Sequence, residues 1–289
     1  MKKYAALIID LKKSRSYKQL DRIEIQNFIK YVIESLNEIF CKSIAFNVIF
    51  SAGDEVQGLF DSPEAAYLFF RLFSMLISPV EIRAGIGVGD WDIKIDSANS
   101  NEQDGPAYHN ARYAIDNVED SLGYSVLLYS KNENDIYINS LINTATLLVN
   151  NQSEYQNALF MLTELIFPIE LNSTINIDKL KNIRHLIARK NNMRYYSNWK
   201  SSRSIKAYPL ILTEKLELEC NPINAIQDET FFYVSSGKIK GLSVKLAKIL
   251  GTSRQSIEKS IKSGNIFQAR NYTIAALKLM NKYVTGDEI

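Results

Sequence analysis

Asp10 closes the apolar run Tyr4-Ala-Ala-Leu-Ile-Ile9, and Asp54 stands in the turn of Val48-Ile-Phe-Ser-Ala-Gly-Asp-Glu-Val-Gln-Gly-Leu-Phe60. The first run reads as a buried strand and the second as a hairpin turning at Gly53-Asp54. Antiparallel pairing of the first strand with the hairpin's second arm sets the two carboxylates side by side. Held close in a low-dielectric site they repel, so that one takes up a proton or both coordinate a cation. The chemistry expected is a phosphate site dependent on Mg²⁺ or Mn²⁺, with Asp10 and Asp54 as the metal ligands. Glu55 should point to the other face of its strand and ranks below Asp54. Lys12, Lys13, Ser14 and Arg15 follow Asp10 in a short polar loop, where N–H groups and cations suit the phosphate oxygens of a nucleotide.

The elements that must position these residues alternate strand and helix over residues 1–130. Gln19 to Phe40 carries an apolar stripe at Leu20, Ile23, Val32, Leu36 and Ile39, widened by Ile25, Phe28, Ile29 and Ile33, which predicts a long amphipathic helix. Ile44 to Phe60 is the hairpin. Ser62-Pro63-Glu64 supplies a cap, a proline at the first helical position and an early acid, predicting a helix to about Ile77. Glu81 to Gly89 reads as a fourth strand, whose glycines admit a second backbone at close range and whose Arg83 suits an ion pair within the sheet. The order β-α-β-β-α-β is that of a ferredoxin-like unit in an α/β (α+β) protein.

Asp96 to Asp104 is a polar linker. Asp104-Gly-Pro-Ala-Tyr-His-Asn-Ala-Arg-Tyr-Ala-Ile115 predicts a turn and then a helix. There His109 and Arg112 lie three residues apart on one face and are the candidate catalytic pair, placed to approach an anion together. Tyr124 to Tyr129 reads as a further strand. Residues 131–230 read as an all-α connector, with apolar stripes at Leu141 to Val149 and Ala158 to Ile166 around the spacer Asn150-Asn-Gln-Ser153, and no role is assigned to Asn172 to Cys220.

Several function classes fall away. With 289 residues, 46% of them hydrophobic, the chain can build a substantial core. Its longest apolar stretch, Ala65 to Ile77, is interrupted by Arg71 and falls short of the about 18 residues that a membrane span needs. A cytoplasmic protein is expected. Cys41 and Cys220 make no disulfide framework, and Cys41 reads as a small buried hydrophobe. His109 and His185 are the only histidines, which leaves neither zinc spacing nor a Ser-His-Asp arrangement. Gly85-x-Gly-x-Gly89 lacks the third glycine of a dinucleotide fingerprint, and no phosphate loop of the Gly-x4-Gly-Lys type is present.

Ile8-Ile-Asp10, Gly53-Asp54, Ile82-Arg-Ala-Gly-Ile-Gly-Val-Gly89 and Gly105-Pro-Ala-Tyr-His-Asn-Ala-Arg112 resemble the successive signatures of class III nucleotidyl cyclase domains, relatives of polymerase palm domains. The whole combination resembles the SatD family, which joins such a domain to a C-terminal helix-turn-helix. The resemblance implies metal binding at Asp10 and Asp54. It also implies an Asn four residues after the glycine and an Arg eight after it, which steady a transition state. Here His109 occupies the fourth position and Arg112 the seventh. Cyclase domains typically work as dimers, so a homodimer is expected.

Residues 231–289 carry the second signal. In Gly241 to Lys262, Ala247, Gly251 and Ile257 recur at helix-turn-helix spacing, with Leu246, Leu250 and Ile261 completing the inner face. A helix opened by Ser253 would present Arg254, Gln255, Ser256, Lys259 and Lys262 to duplex DNA. From Gly237 onward there are ten basic and three acidic residues, whereas the rest of the chain has 24 and 29. Such an excess suits a polyanion. Phe267 to Tyr283 reads as a further helix with Ile274, Leu277 and Met280 inward. The function expected is a nucleotide- and metal-responsive DNA-binding regulator, with a metal-dependent nucleotidyl transferase or cyclase as the alternative.

Overall fold

The computed structural model describes residues 3–95, 99–118, 123–171, 174–196, 219–225 and 239–285. Residues 96–98 of the expected linker, 197–218 and 226–230 of the connector, and the expected domain boundary at 231 lie outside that set. The chain adopts a mixed α/β fold around a five-stranded sheet. Its strands are β1 (Tyr4–Leu11), β2 (Ile44–Ala52), β3 (Glu55–Phe60), β4 (Ile82–Gly89) and β5 (Val126–Tyr129), in the order β2-β3-β1-β4-β5. β1 pairs antiparallel with both β3 and β4, and β5 joins β4 in parallel.

Both faces of the sheet are covered, which is why β1 reads as a continuous apolar run with no polar alternation. One face, bearing Leu7, Ile9, Val56 and Ile86, packs on α1 (Gln19–Ile39) and α2 (Pro63–Ile77). The other bears Ala6, Ile8 and Leu59 and packs on Ala107, Tyr108, Ala111 and Ile115 of α3 (Pro106–Asp116). Gly85 and Gly87 make the second contact possible. A Cβ on Gly87 would fall 1.9 Å from the Ala111 backbone nitrogen, and one on Gly85 would fall 2.2 Å from the Ala111 oxygen. Ser62 caps α2 as expected, accepting from the Ala65 amide at 3.2 Å with Pro63 in the first turn.

The second half of the described chain is mostly helical. α4 (Asp135–Asn150) and α5 (Glu154–Ile166) flank a turn closed by a reciprocal Ser153–Gln156 cap. α6 (Ile177–Leu180) and α7 (Asn182–Asn191) follow, and two short strands, β6 (Ile169–Glu170) and β7 (Ile223–Asn224), pair in parallel. α8 (Leu242–Leu250) and α9 (Arg254–Ser263) pack on each other and on α5, while α10 (Ile266–Met280) lies along α4 and ends in a π-helical turn at Asn281–Thr285. One apolar cluster runs from Ala5 to Val284 and takes in residues of every helix named in this paragraph. Among the described residues no helix is long and apolar enough to cross a membrane.

Three expectations are corrected. The stretch 131–230 is not all-α, because Ile169–Glu170 and Ile223–Asn224 pair as strands within it. Leu20 and Ile23 are 64% and 49% exposed, because the buried stripe of α1 runs through Ile25, Phe28, Ile29, Val32, Leu36 and Ile39. Cys41 is exposed. α1 ends at Ile39, so the helical periodicity does not extend to Cys41, which sits in the turn leading to β2.

Candidate functional site

The ends of β1, β3 and β4 bring the charged residues together. Ile9 pairs with Val56 and Asp10 with Arg83, and one residue along from the first pair Asp10 and Glu55 share the opposite face. Residues opposite each other in an antiparallel ladder share a face. Asp10, Glu55 and Arg83 therefore project toward α3, the side that Gly85 and Gly87 also face. Arg83 Nε donates to Asp10 Oδ2 at 2.9 Å. From α3, the Arg112 Nη1 and Nη2 groups donate to Glu55 Oε2 and Oε1 at 2.7 and 2.8 Å. Burial raises the Glu55 pKa, but the hydrogen bonds from Arg112 and Ser51 and the charges of Arg112 and Arg83 outweigh it and hold the carboxyl below its ordinary range. The Arg112 pKa is raised, first by its bonds to Glu55.

Glu55 thus lies on the same face of the sheet as Asp10, contrary to the expectation that it points to the other face. Asp54 lies one residue further on, partly buried in the turn itself, where Gly53 adopts φ +61°. Among the described residues no group of three or more carboxylate, imidazole or thiol side chains gathers to hold a metal. Arg83 engages Oδ2 of Asp10.

Beside Asp10 opens a cleft of about 350 Å³, lined by Lys12, Lys13, Arg83 and Tyr124 among others. Two of the four expected nucleotide contacts, Lys12 and Lys13, thus share a cleft with Asp10. Lys13 takes the left-handed conformation at φ 56°, a turn that starts a short 3-10 segment at Ser14–Ser16. Ser14 is buried and Arg15 is exposed, and neither lines the cleft.

His109 and Arg112 are not brought onto a common target. The exposed His109 places Nε2 at 2.9 Å from Asp104 Oδ1, at the start of α3, whereas Arg112 is committed to Glu55. Asn110, between them, is buried and donates to the Val88 carbonyl at 2.7 Å, tying α3 to β4. Tyr108 packs under the same helix. Its hydroxyl lies 3.2 Å from Ser100 Oγ, and burial pushes its pKa up to about 12.

At the other end of the chain, α8 and α9 are joined by Gly251, left-handed at φ 58°, and Ser253, whose hydroxyl accepts from the Ser256 amide at 3.2 Å. Leu246, Ile257 and Ile261 are buried between the helices and the body. Ser253, Arg254, Gln255, Ser256, Lys259 and Lys262 are all exposed. Arg254 lies along the surface against Glu258 at 2.7 Å, an exposed pair one turn apart.

Fold and site together define an α/β protein with a carboxylate and two lysines at one end of its sheet and an exposed polar helix at its C-terminal end. The model of the SatD family matches residues 4–207, well over half of the chain, and the protein belongs to that family. The matched span takes in the sheet and much of the helical part and stops before α8. Among proteins of curated function none matches this chain.

Proposed function

We propose that residues 1–130 are a ferredoxin-like, cyclase-type domain that binds a nucleotide with Mg²⁺ or Mn²⁺, and that α8 and α9 are a helix-turn-helix that binds duplex DNA. Asp10 and Asp54 hold the cation, and Lys12 and Lys13 hold the phosphates. The observation that carries this reading is the cleft shared by Asp10, Lys12 and Lys13. A carboxylate beside unpaired ammonium groups at the end of a central strand is the donor set that a metal–phosphate ligand requires. The sheet order β2-β3-β1-β4, with one helix between β1 and β2 and another between β3 and β4, supports the ferredoxin-like assignment. The exposed polar row from Ser253 to Lys262 supports the assignment of α9.

The alternative, a transferase or cyclase acting on an NTP, requires His109 or Arg112 at the reacting phosphates. Both side chains are engaged by carboxylates of their own chain, which favours a sensor over a catalyst. Nucleotide and DNA affinities of the sensor are then coupled reciprocally.

The test is calorimetric titration of Mg²⁺ with ATP and with GTP into the wild type and Asp10→Ala, followed by DNA-binding anisotropy of the full chain with and without nucleotide. Binding that is lost in Asp10→Ala, together with salt-dependent DNA affinity that the nucleotide shifts, is the expected result. Absence of nucleotide binding in the wild type rules out the sensor. Pyrophosphate release that Asp54→Asn abolishes would instead establish the enzyme.

A further inference from the structure

Lys12 and Lys13 also line a second, larger cleft, of about 570 Å³, on the α2 side of their loop. Neither Asp10 nor Asp54 borders it. Its walls come from five stretches of the chain. The C-terminal end of α2 supplies Ser74 and Ser78, the turn between α4 and α5 supplies Asn150 and Gln152, and Tyr17 and Tyr195 meet edge to face at a centroid distance of 5.5 Å. Glu81 is the carboxylate on this surface. Among the described residues neither Lys12 nor Lys13 makes an ion pair, so one net positive charge faces the cleft.

A wall of hydroxyls, amides and two phenol rings beside two lysines is poorly suited to an apolar ligand. It matches a small molecule that is anionic at one end and hydrogen-bonding at the other, and the volume lies in the range of ordinary small-ligand sites. The wall also touches the C-terminal helix pair. Gln152 Nε2 donates to the Gly264 carbonyl at 2.6 Å, and Gln156 Nε2 donates to Ser263 Oγ at 2.9 Å, so this turn holds the last residues of α9. The Gly264 carbonyl needs a donor, which fixes the orientation of the Gln152 amide. The amide oxygen is left buried, with no hydrogen-bond partner among the described residues.

We infer that this cleft is a second ligand site, for a phosphorylated polar small molecule of nucleoside-monophosphate size. Its phosphate meets Lys12 and Lys13, and its polar body meets Asn150 and Gln152. The ligand requires no metal. Because Gln152 grips Gly264, occupancy is felt at the end of α9.

The experiment uses the full chain in EDTA. AMP, GMP, CMP, UMP, ribose 5-phosphate and inorganic phosphate are titrated separately by calorimetry, and backbone hydrogen exchange is followed over residues 260–266. At least one organic phosphate should bind about tenfold or more tighter than inorganic phosphate. Asn150→Ala, at an exposed helix end, should weaken that binding several-fold. Exchange over 260–266 should slow. Four outcomes overturn the inference: no organic phosphate binds, none binds better than inorganic phosphate, Asn150→Ala leaves binding intact, or exchange over 260–266 stays the same with ligand bound. Lys12 and Lys13 border both clefts, so the two sites are told apart by Asn150: binding of Mg²⁺ with ATP that Asn150→Ala leaves intact belongs to the Asp10 cleft, and metal-independent binding that Asn150→Ala weakens belongs to this one.

Discussion

Arg83 donates Nε to Asp10 Oδ2 at 2.9 Å across directly paired positions of β4 and β1. The two side chains are 29% and 20% exposed, so solvent weakens the bond without abolishing it. A divalent cation at Asp10 has to compete with this guanidinium for the same carboxylate. On the proposed reading, the ion pair sets a threshold for cation binding at the end of the sheet.

Removing the competitor should lower that threshold. On the proposed reading, Arg83→Gln raises Mn²⁺ affinity by about tenfold, the scale of one charge–charge interaction at a partly solvated site. Titration of Mn²⁺ into the wild type, Arg83→Gln and the double variant Arg83→Gln/Asp10→Asn checks this. Equal affinities in the first two proteins would mean that Asp10 is not a cation ligand.

Glu64, at the start of α2, is buried, and both its carboxylate oxygens lie 2.8 Å from the Thr285 hydroxyl, which shares its one proton between them. Burial raises its pKa, and the hydrogen bonds from its own backbone, Thr285 and Ser62 only partly offset this. With the folded pKa above the unfolded one, the native state binds the extra proton. Stability is then full below the ordinary carboxylate range and declines as pH rises through the raised value. Glu64→Gln keeps a hydrogen-bonding amide and removes the titration. Its Tm should exceed that of the wild type at pH 8 and match it at pH 4. A difference of the same size at both pH values would assign the effect to packing.

Much of this architecture is legible in the sequence, because local rules act on single segments. Ser62-Pro63-Glu64 announces α2, Gly85 and Gly87 announce a backbone crossing close above β4, and Gly251 with Ser253 announces the break between α8 and α9. The identity of Asp10's neighbour was not legible. Both faces of β3 are buried, with Val56 on one and Leu59 on the other, so hydrophobicity does not reveal the parity of the strand. Only the register of β3 with β1, Ile9 against Val56, puts Glu55 on the face that Asp10 shares. Leu20 and Ile23 fit a helical stripe equally well on paper, yet the buried stripe of α1 runs through Ile25, Phe28, Ile29 and Val32 and leaves them exposed. The larger cleft draws its walls from positions as distant as Tyr17 and Tyr195, which no local pattern connects.

Glu164 of α5 shows the same long-range dependence in the core, and it carries the strongest stability prediction. Its carboxylate receives Arg71 of α2 through two bonds, at 2.8 and 2.7 Å, and also receives Arg270 of α10. Arg270 donates further to the Phe167 carbonyl at 2.8 Å, while its Nε has no partner among the described residues. Burial raises the Glu164 pKa, but the charges of Arg270 and Arg71 outweigh it and hold the carboxyl below its ordinary range, while burial lowers the Arg270 pKa. Two guanidiniums thus share one carboxylate, and Arg270 is the surplus charge. Glu164→Gln leaves both cations without a counter-charge and should cost about 3–5 kcal/mol. Arg270→Met removes the surplus and keeps the Arg71–Glu164 pair, so its cost should stay below about 2 kcal/mol, and a gain in stability is in keeping with the same argument. Urea unfolding of the three proteins decides the matter. Equal losses in the two variants would show that Arg270 contributes as much as the carboxylate it shares.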